Sequence, residues 1–97
     1  MLSNKERSQL RSIGNDLPPI IMIGKAGITK TILNELELVL DARELVKVRI
    51  LPNSDLVIKV AAAQLAESTA AEIVHVVGGN ILIYRQPPPG VVRKINF

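Results

Sequence analysis

The sequence predicts an α/β domain in the order α-β-α-β-α-β-β, with four strands in one mixed sheet. Three observations carry this. Short β-type apolar runs, such as Ile20-Ile21-Met22-Ile23 and Leu45-Val46-Lys47-Val48-Arg49-Ile50-Leu51, alternate with longer stretches of helical period. Glycine and proline turns separate those runs from the helices behind them. The last two runs are divided only by Gly78-Gly79-Asn80, a hairpin signal. Strand–helix–strand crossovers are right-handed, so the first three strands run parallel and the fourth returns antiparallel to the third.

Ser3-Asn4-Lys5-Glu6 has the form of a capping box, with Ser3 as N-cap and Glu6 at the third helical position. It opens a first helix over residues 4–15, with Leu10, Ile13 and Leu17 on one stripe, and Pro18-Pro19 forbids its continuation. Both parities of Ile20-Ile21-Met22-Ile23 are apolar, which suits a central strand covered on both faces. Behind the turn Gly24-Lys25-Ala26-Gly27, Thr29 caps a second helix. Its buried stripe is Ile32, Leu33, Leu36, Val39 and Leu40, while Lys30, Asn34, Glu35, Glu37 and Asp41 lie mainly elsewhere.

Residues 45–51 alternate as a half-buried strand, with Val46, Val48 and Ile50 inward and Lys47 and Arg49 outward. Pro52-Asn53-Ser54-Asp55 is a turn containing a helix cap. The β-branched Val57, Ile58 and Val60 favour a strand, but the alanine-rich continuation places a third helix from Leu56 to Glu67. Strands follow at 72–77 and 81–86. The domain is therefore read as residues 1–86, and Pro87-Pro88-Pro89-Gly90 opens a Pro-rich tail, 87–97, made basic by Arg93 and Lys94.

Ninety-seven residues make one domain, and 47% hydrophobic with 22% charged residues is an ordinary globular balance. No apolar run approaches the roughly 20 residues of a membrane span. Lys5, Glu6 and Arg7 stand where a signal peptide needs an apolar core, so a cytoplasmic protein is expected. With no cysteine, disulfides, zinc-thiolate sites and thiol catalysis are excluded. His75 is the only histidine and falls in a strand, so no histidine metal site and no common nucleophile–base pair can be assembled. No catalytic residue, metal site or cofactor is expected.

The net charge of +3 is unevenly distributed. Residues 1–30 carry Lys5, Arg7, Arg11, Lys25 and Lys30 against Glu6 and Asp16, while residues 31–44 carry Glu35, Glu37, Asp41 and Glu44 against Arg43. A basic entrance before an acidic helix suggests one face for a polyanion. The turn Gly24-Lys25-Ala26-Gly27 lies within that entrance. Its glycines allow positive φ and close approach, and the helix start behind it offers unpaired N–H groups beside Lys25 and Lys30. That is chemistry for holding a phosphate, as G-x-x-G loops of KH domains do for a nucleic-acid backbone. A P-loop would need Ser or Thr where Ala26 stands, and a dinucleotide fingerprint would need a third glycine. The alternative is a plain strand-to-helix turn.

Topology places the turns at 24–27, 52–55 and 78–80 along one sheet edge, where ligands of open α/β sheets gather. A first helix antiparallel to the first strand would bring Lys5 and Arg7 to the same edge. Tyr84 and Phe97 are the only aromatics, so no stacking platform is available. Recognition would rest on phosphates, backbone N–H groups and shape.

Four separated motifs, in order, resemble the CRM domain, whose single-domain bacterial form is the YhbY family. They are Asn15-Asp16-Leu17-Pro18-Pro19-Ile20, Ile23-Gly24-Lys25-Ala26-Gly27-Ile28-Thr29, Glu44-Leu45-Val46-Lys47-Val48-Arg49, and Val77-Gly78 with Ile81-Leu82-Ile83-Tyr84-Arg85. The resemblance covers about residues 2–86. It implies an RNA-binding module similar in fold to the C-terminal domain of translation initiation factor 3. It further implies association with precursors of the large ribosomal subunit; relatives in plant organelles act in intron splicing. The family's RNA-facing loop falls on Gly24, Lys25, Ala26 and Gly27, with Thr29 and Lys30 at the helix start and, more loosely, Lys5, Arg7 and Arg11 on the first helix. After Gly78 the family commonly carries Arg or Lys, and this chain has Gly79-Asn80. The expectation is a monomeric, non-enzymatic RNA-binding protein that assists large-subunit assembly. Its rival is a protein–protein adaptor or translation-factor-like module on the ribosome, using the acidic second helix.

Overall fold

The computed structural model describes residues 2–97, so residue 1, where the first domain was expected to begin, lies outside the described residues. Seven elements follow in chain order: α1 (Asn4–Gly14), β1 (Ile21–Ile23), α2 (Lys30–Arg43), β2 (Leu45–Ile50), α3 (Ile58–Thr69), β3 (Glu72–Val77) and β4 (Asn80–Tyr84). The expected order is met. The capping box of α1 is reciprocal: Glu6 N–H donates to Ser3 Oγ at 3.1 Å, and Ser3 N–H donates to Glu6 Oε1 at 3.0 Å. Those bonds from Ser3 hold the Glu6 carboxyl below the usual carboxylate range.

α3 begins two residues later than the sequence suggested. Leu56 N–H donates to Ser54 Oγ at 3.3 Å, and Val57 caps the helix with no side-chain bond. The serine hydroxyl thus captures a backbone N–H two residues on and holds the chain extended before the helix can start.

The sheet order is β1-β2-β4-β3. β1 pairs parallel with β2, and β4 is antiparallel to both β2 and β3. The first three strands therefore point one way and β4 returns between two of them. One expectation is overturned: β1 is an edge strand, not a central one. Ile21 and Ile23 are buried against the helices, but Met22, on the other face, is 52% exposed.

Each sheet face has its own core. On one face Ile21, Ile23, Val46, Val48, Ile81 and Ile83 meet Leu36 and Leu40 of α2 and Ala61, Ala62 and Leu65 of α3. On the other, Leu45, Val74, Leu82 and Tyr84 meet Leu10 of α1. There α1 lies against the sheet at Gly14, where a Cβ would fall 2.3 Å from Leu82 Cδ2. Residues 87–97 carry no helix or strand, yet they return to this face. Ile95 and Phe97 pack onto the second core, Phe97 sits edge-on to Tyr84 at 5.4 Å, and Lys94 N–H donates to buried Glu44 at 2.9 Å.

Arg85, just past β4, ties the helices to the sheet. Its Nη1 donates to Glu37 Oε2 at 2.7 Å and Thr69 O at 2.9 Å, and its Nη2 donates to Asp41 Oδ1 at 2.7 Å. Two carboxylates expected on a solvated face are thus partners of one mostly buried guanidinium.

Candidate nucleic-acid interface

The carboxyl ends of β1, β2 and β3 share one edge, and the chain beyond them is cross-linked there by backbone bonds. Leu51 N–H donates to Ile23 O at 2.8 Å, and Ile50 N–H donates to Gly79 O at 2.7 Å. A Cβ on Gly24 would lie 3.4 Å from Asn53 Oδ1, so the second turn rests its side chain beside the first. The turns at 24–27, 52–55 and 78–80 therefore form one surface.

Gly24-Lys25-Ala26-Gly27 is a closed four-residue turn, with Gly27 N–H donating to Gly24 O at 3.1 Å. Its two glycines do different work. Gly27 has φ +73°, the left-handed region that a side chain resists. Gly24 does not need that region, and a Cβ there would only touch the Asn53 amide at ordinary contact distance. Lys25 and Ala26 occupy the exposed tip.

α2 starts three residues beyond the turn. Thr29 Oγ1 accepts Ile32 N–H at 3.2 Å, and Leu33 N–H reaches Thr29 O at 3.0 Å. The cap leaves the N–H groups of Lys30 and Thr31 without intrahelical partners at the positive end of a helix of 14 residues. With the ammonium groups of Lys25 and Lys30, both exposed, the edge presents donors and positive charge and is suited to an oxyanion such as phosphate.

Of the residues singled out in the sequence, Gly24, Lys25, Ala26, Gly27, Thr29 and Lys30 are brought together. Lys5 and Arg7 do not join them. The amino end of α1 lies at the start of β3, where Leu2 N–H donates to both Glu72 oxygens at 3.1 Å. Arg7 pairs there with Glu72 at 3.1 Å and also donates to Ile73 O. That is about 16 Å, a strand's length, from the turn edge. Lys5 is exposed at this far end, and Arg11 is exposed in the last turn of α1. The helix docks this way because the Arg7–Glu72 pair and the Gly14–Leu82 contact fix its two ends.

Sequence reasoning passed over Asn53 as a site residue. Its signal was its place in a turn at the same edge, which sets position but not the aim of a side chain. At the hairpin, Gly79 adds no charge, and its backbone closes on Ile50 instead, with Ile50 O only 3.0 Å from where a Cβ would stand. Among the described residues no cluster of His, Asp and Glu is placed to hold a metal ion, and no helix is long and apolar enough to cross a membrane.

Comparison with known proteins agrees with this fold. The model of the CRS1/YhbY (CRM) domain matches residues 2–85. A Bacillus subtilis protein named "Probable RNA-binding protein YqeI" is 31% identical over 86 residues, covering 89% of this chain and 90% of its own. The Pseudomonas aeruginosa "Probable RNA-binding protein PA4753" is 29% identical over 87 residues, covering 90% and 84%. Among solved structures, the hypothetical protein SAV1595 of Staphylococcus aureus, described as a candidate RNA-binding protein, superposes with a TM-score of 0.79. It is 37% identical, with 94% of this chain and 95% of that one covered.

Proposed function

Because the chain belongs to the CRS1/YhbY (CRM) domain family, we propose that it is a non-enzymatic RNA-binding protein that holds the nucleic-acid backbone at the edge built by Gly24–Gly27 and the start of α2. The observation that carries this is the closed turn with Gly27 in the left-handed region, set directly before open helix N–H groups and two exposed lysines. The names of the relatives support RNA as the polyanion. We further propose that the protein acts in the cytoplasm as a monomer, on ribosomal RNA of large-subunit precursors, and assists their assembly.

The adaptor alternative needs α2 to offer an acidic face. Arg85 already takes Glu37 and Asp41, which favours the RNA reading. The test is a map of in-cell crosslinks to the protein. Crosslinks concentrated on large-subunit ribosomal RNA and carried by peptides spanning residues 24–30 are expected. Crosslinks to ribosomal proteins without RNA would replace this proposal with the adaptor.

A further inference from the structure

We propose that an RNA strand held at the Gly24–Gly27 turn continues across the open part of the sheet, where Arg49 and then Lys47 contact its next phosphates. The inference rests on the proposed role of the turn. Register fixes which side chains share this face: Met22 pairs with Arg49, Arg49 with Asn80, and Asn80 with Val77, all in the row beside the turns. The next row on the same face holds Lys47, Leu82 and His75. The α1 layer and the returning tail cover Leu82, Leu45 and Tyr84, and the end of α1, at Gly14 and Asn15, reaches beside Asn80 and Val77 of the first row. There Met22 and Val77 remain 52% and 57% exposed, with Arg49 exposed between the strands that carry them.

Three features make this surface fit a single-stranded polyanion. The two rows contain no carboxylate, and neither Lys47 nor Arg49 forms an ion pair among the described residues. Residues two apart on a strand stand about 6.7 Å from each other, close to the spacing of successive phosphates in an extended nucleic-acid strand. Met22 and Val77 flank the cations with apolar surface on which sugars and bases can lie without a stacking platform. Protection of a sheet edge does not account for the charges, since lysines serving that end sit on edge strands and β2 is internal. An acidic protein segment would suit the charges but would leave the adjoining oxyanion site at the turn unexplained.

The test measures binding of oligouridylates of about four and about twelve nucleotides, the shorter matching a clamp at the loop alone. Lys47→Gln with Arg49→Gln is expected to weaken binding of the longer strand about tenfold and to leave the shorter unchanged. The slope of log affinity against log salt for the longer strand should become shallower by about 1.4, two phosphates at about 0.7 each. Arg49→Gln alone, at an exposed position that folding does not need, should give about half that change. Circular dichroism on the same samples reports folding. A folded double or single variant that binds the longer strand with the parent's affinity and slope overturns the path. Equal weakening for both lengths overturns it too, since that is a general charge effect. A loop variant, Lys25→Asp with Ala26→Asp, separates the two readings. If it loses binding while the sheet variants do not, only the path fails; if the parent binds neither oligonucleotide, both fail.

Discussion

Placing aspartates at the tip of the turn asks whether it binds or merely turns. Lys25→Asp with Ala26→Asp keeps Gly24 and Gly27, and the bond that closes the turn runs between their backbones at 3.1 Å. Both substituted side chains are exposed, and carboxylates ahead of a helix suit the positive end of its dipole. Stability should therefore change by no more than about 0.5 kcal/mol. Binding should change far more. One charge-assisted contact from Lys25 is worth about 1.5–3 kcal/mol, or roughly 10- to 150-fold in affinity, before repulsion from two new charges is added. Removing one phosphate-neutralising lysine should also make the salt slope shallower by about 0.7. The assay is RNA binding by fluorescence anisotropy across a salt series, with a thermal melt on the same preparation. A variant that melts like the parent and binds RNA like the parent would refute the assignment and leave a strand-to-helix turn with no ligand.

Two further expectations follow from the packing. Leu36→Ala, at a fully buried position facing the sheet, should cost about 2–5 kcal/mol, whereas Glu37→Ala should cost no more than about 1 kcal/mol, since Arg85 keeps Asp41 and Thr69 O; chemical denaturation of both variants checks this. Burial pushes the Tyr84 phenol above its ordinary value, so the neutral form favours the fold: its contribution is full below about pH 10 and is lost as pH rises toward the raised folded value. Tyr84 Oη is buried with no hydrogen-bond partner among the described residues, so Tyr84→Phe should be at least as stable as the parent near pH 7 and should lose less stability above about pH 10, read from melts at the two pH values.

Much of the fold was legible because its signals are local. Capping at Ser3 and Thr29, the stripe Leu36–Leu40 and the parity of Val46 and Val48 each depend on near neighbours in the chain. Strand directions followed from connection rules. Strand order did not, since the pairing of Val46 with Ile83 is chosen by tertiary packing between residues far apart in sequence. The placement of α1 was illegible for the same reason. It is decided by Arg7 meeting Glu72, 65 residues away, and by the fit of Gly14 against Leu82. The turn at residues 24–27 could be read because its backbone is self-contained. Its companions could not, because Asn53 and Arg49 gain meaning only once three strand ends are laid side by side.

That arrangement divides the charges by task. Toward the end of the sheet where β3 begins and β4 ends, four cations are engaged within the protein, while Lys5 stays exposed there. Arg7 meets Glu72, Arg85 meets Glu37 and Asp41, Arg93 lies 4.7 Å from the Phe97 ring centre, and Lys94 Nζ donates to Asp41 O. A guanidinium already held by a carboxylate would have to exchange that partner for a phosphate, so it gains little from RNA and contributes little to counterion release. At the turn edge Lys25, Lys30 and Arg49 are exposed, and no ion pair among the described residues involves them. A phosphate meeting these groups displaces only water and mobile ions. Basic residues counted along the sequence therefore overstate the proposed binding surface, because the first helix contributes Arg7 to the fold and not to the edge. On the proposed reading, affinity is set by the smaller group Lys25, Lys30 and Arg49, exposed where three parallel strands end.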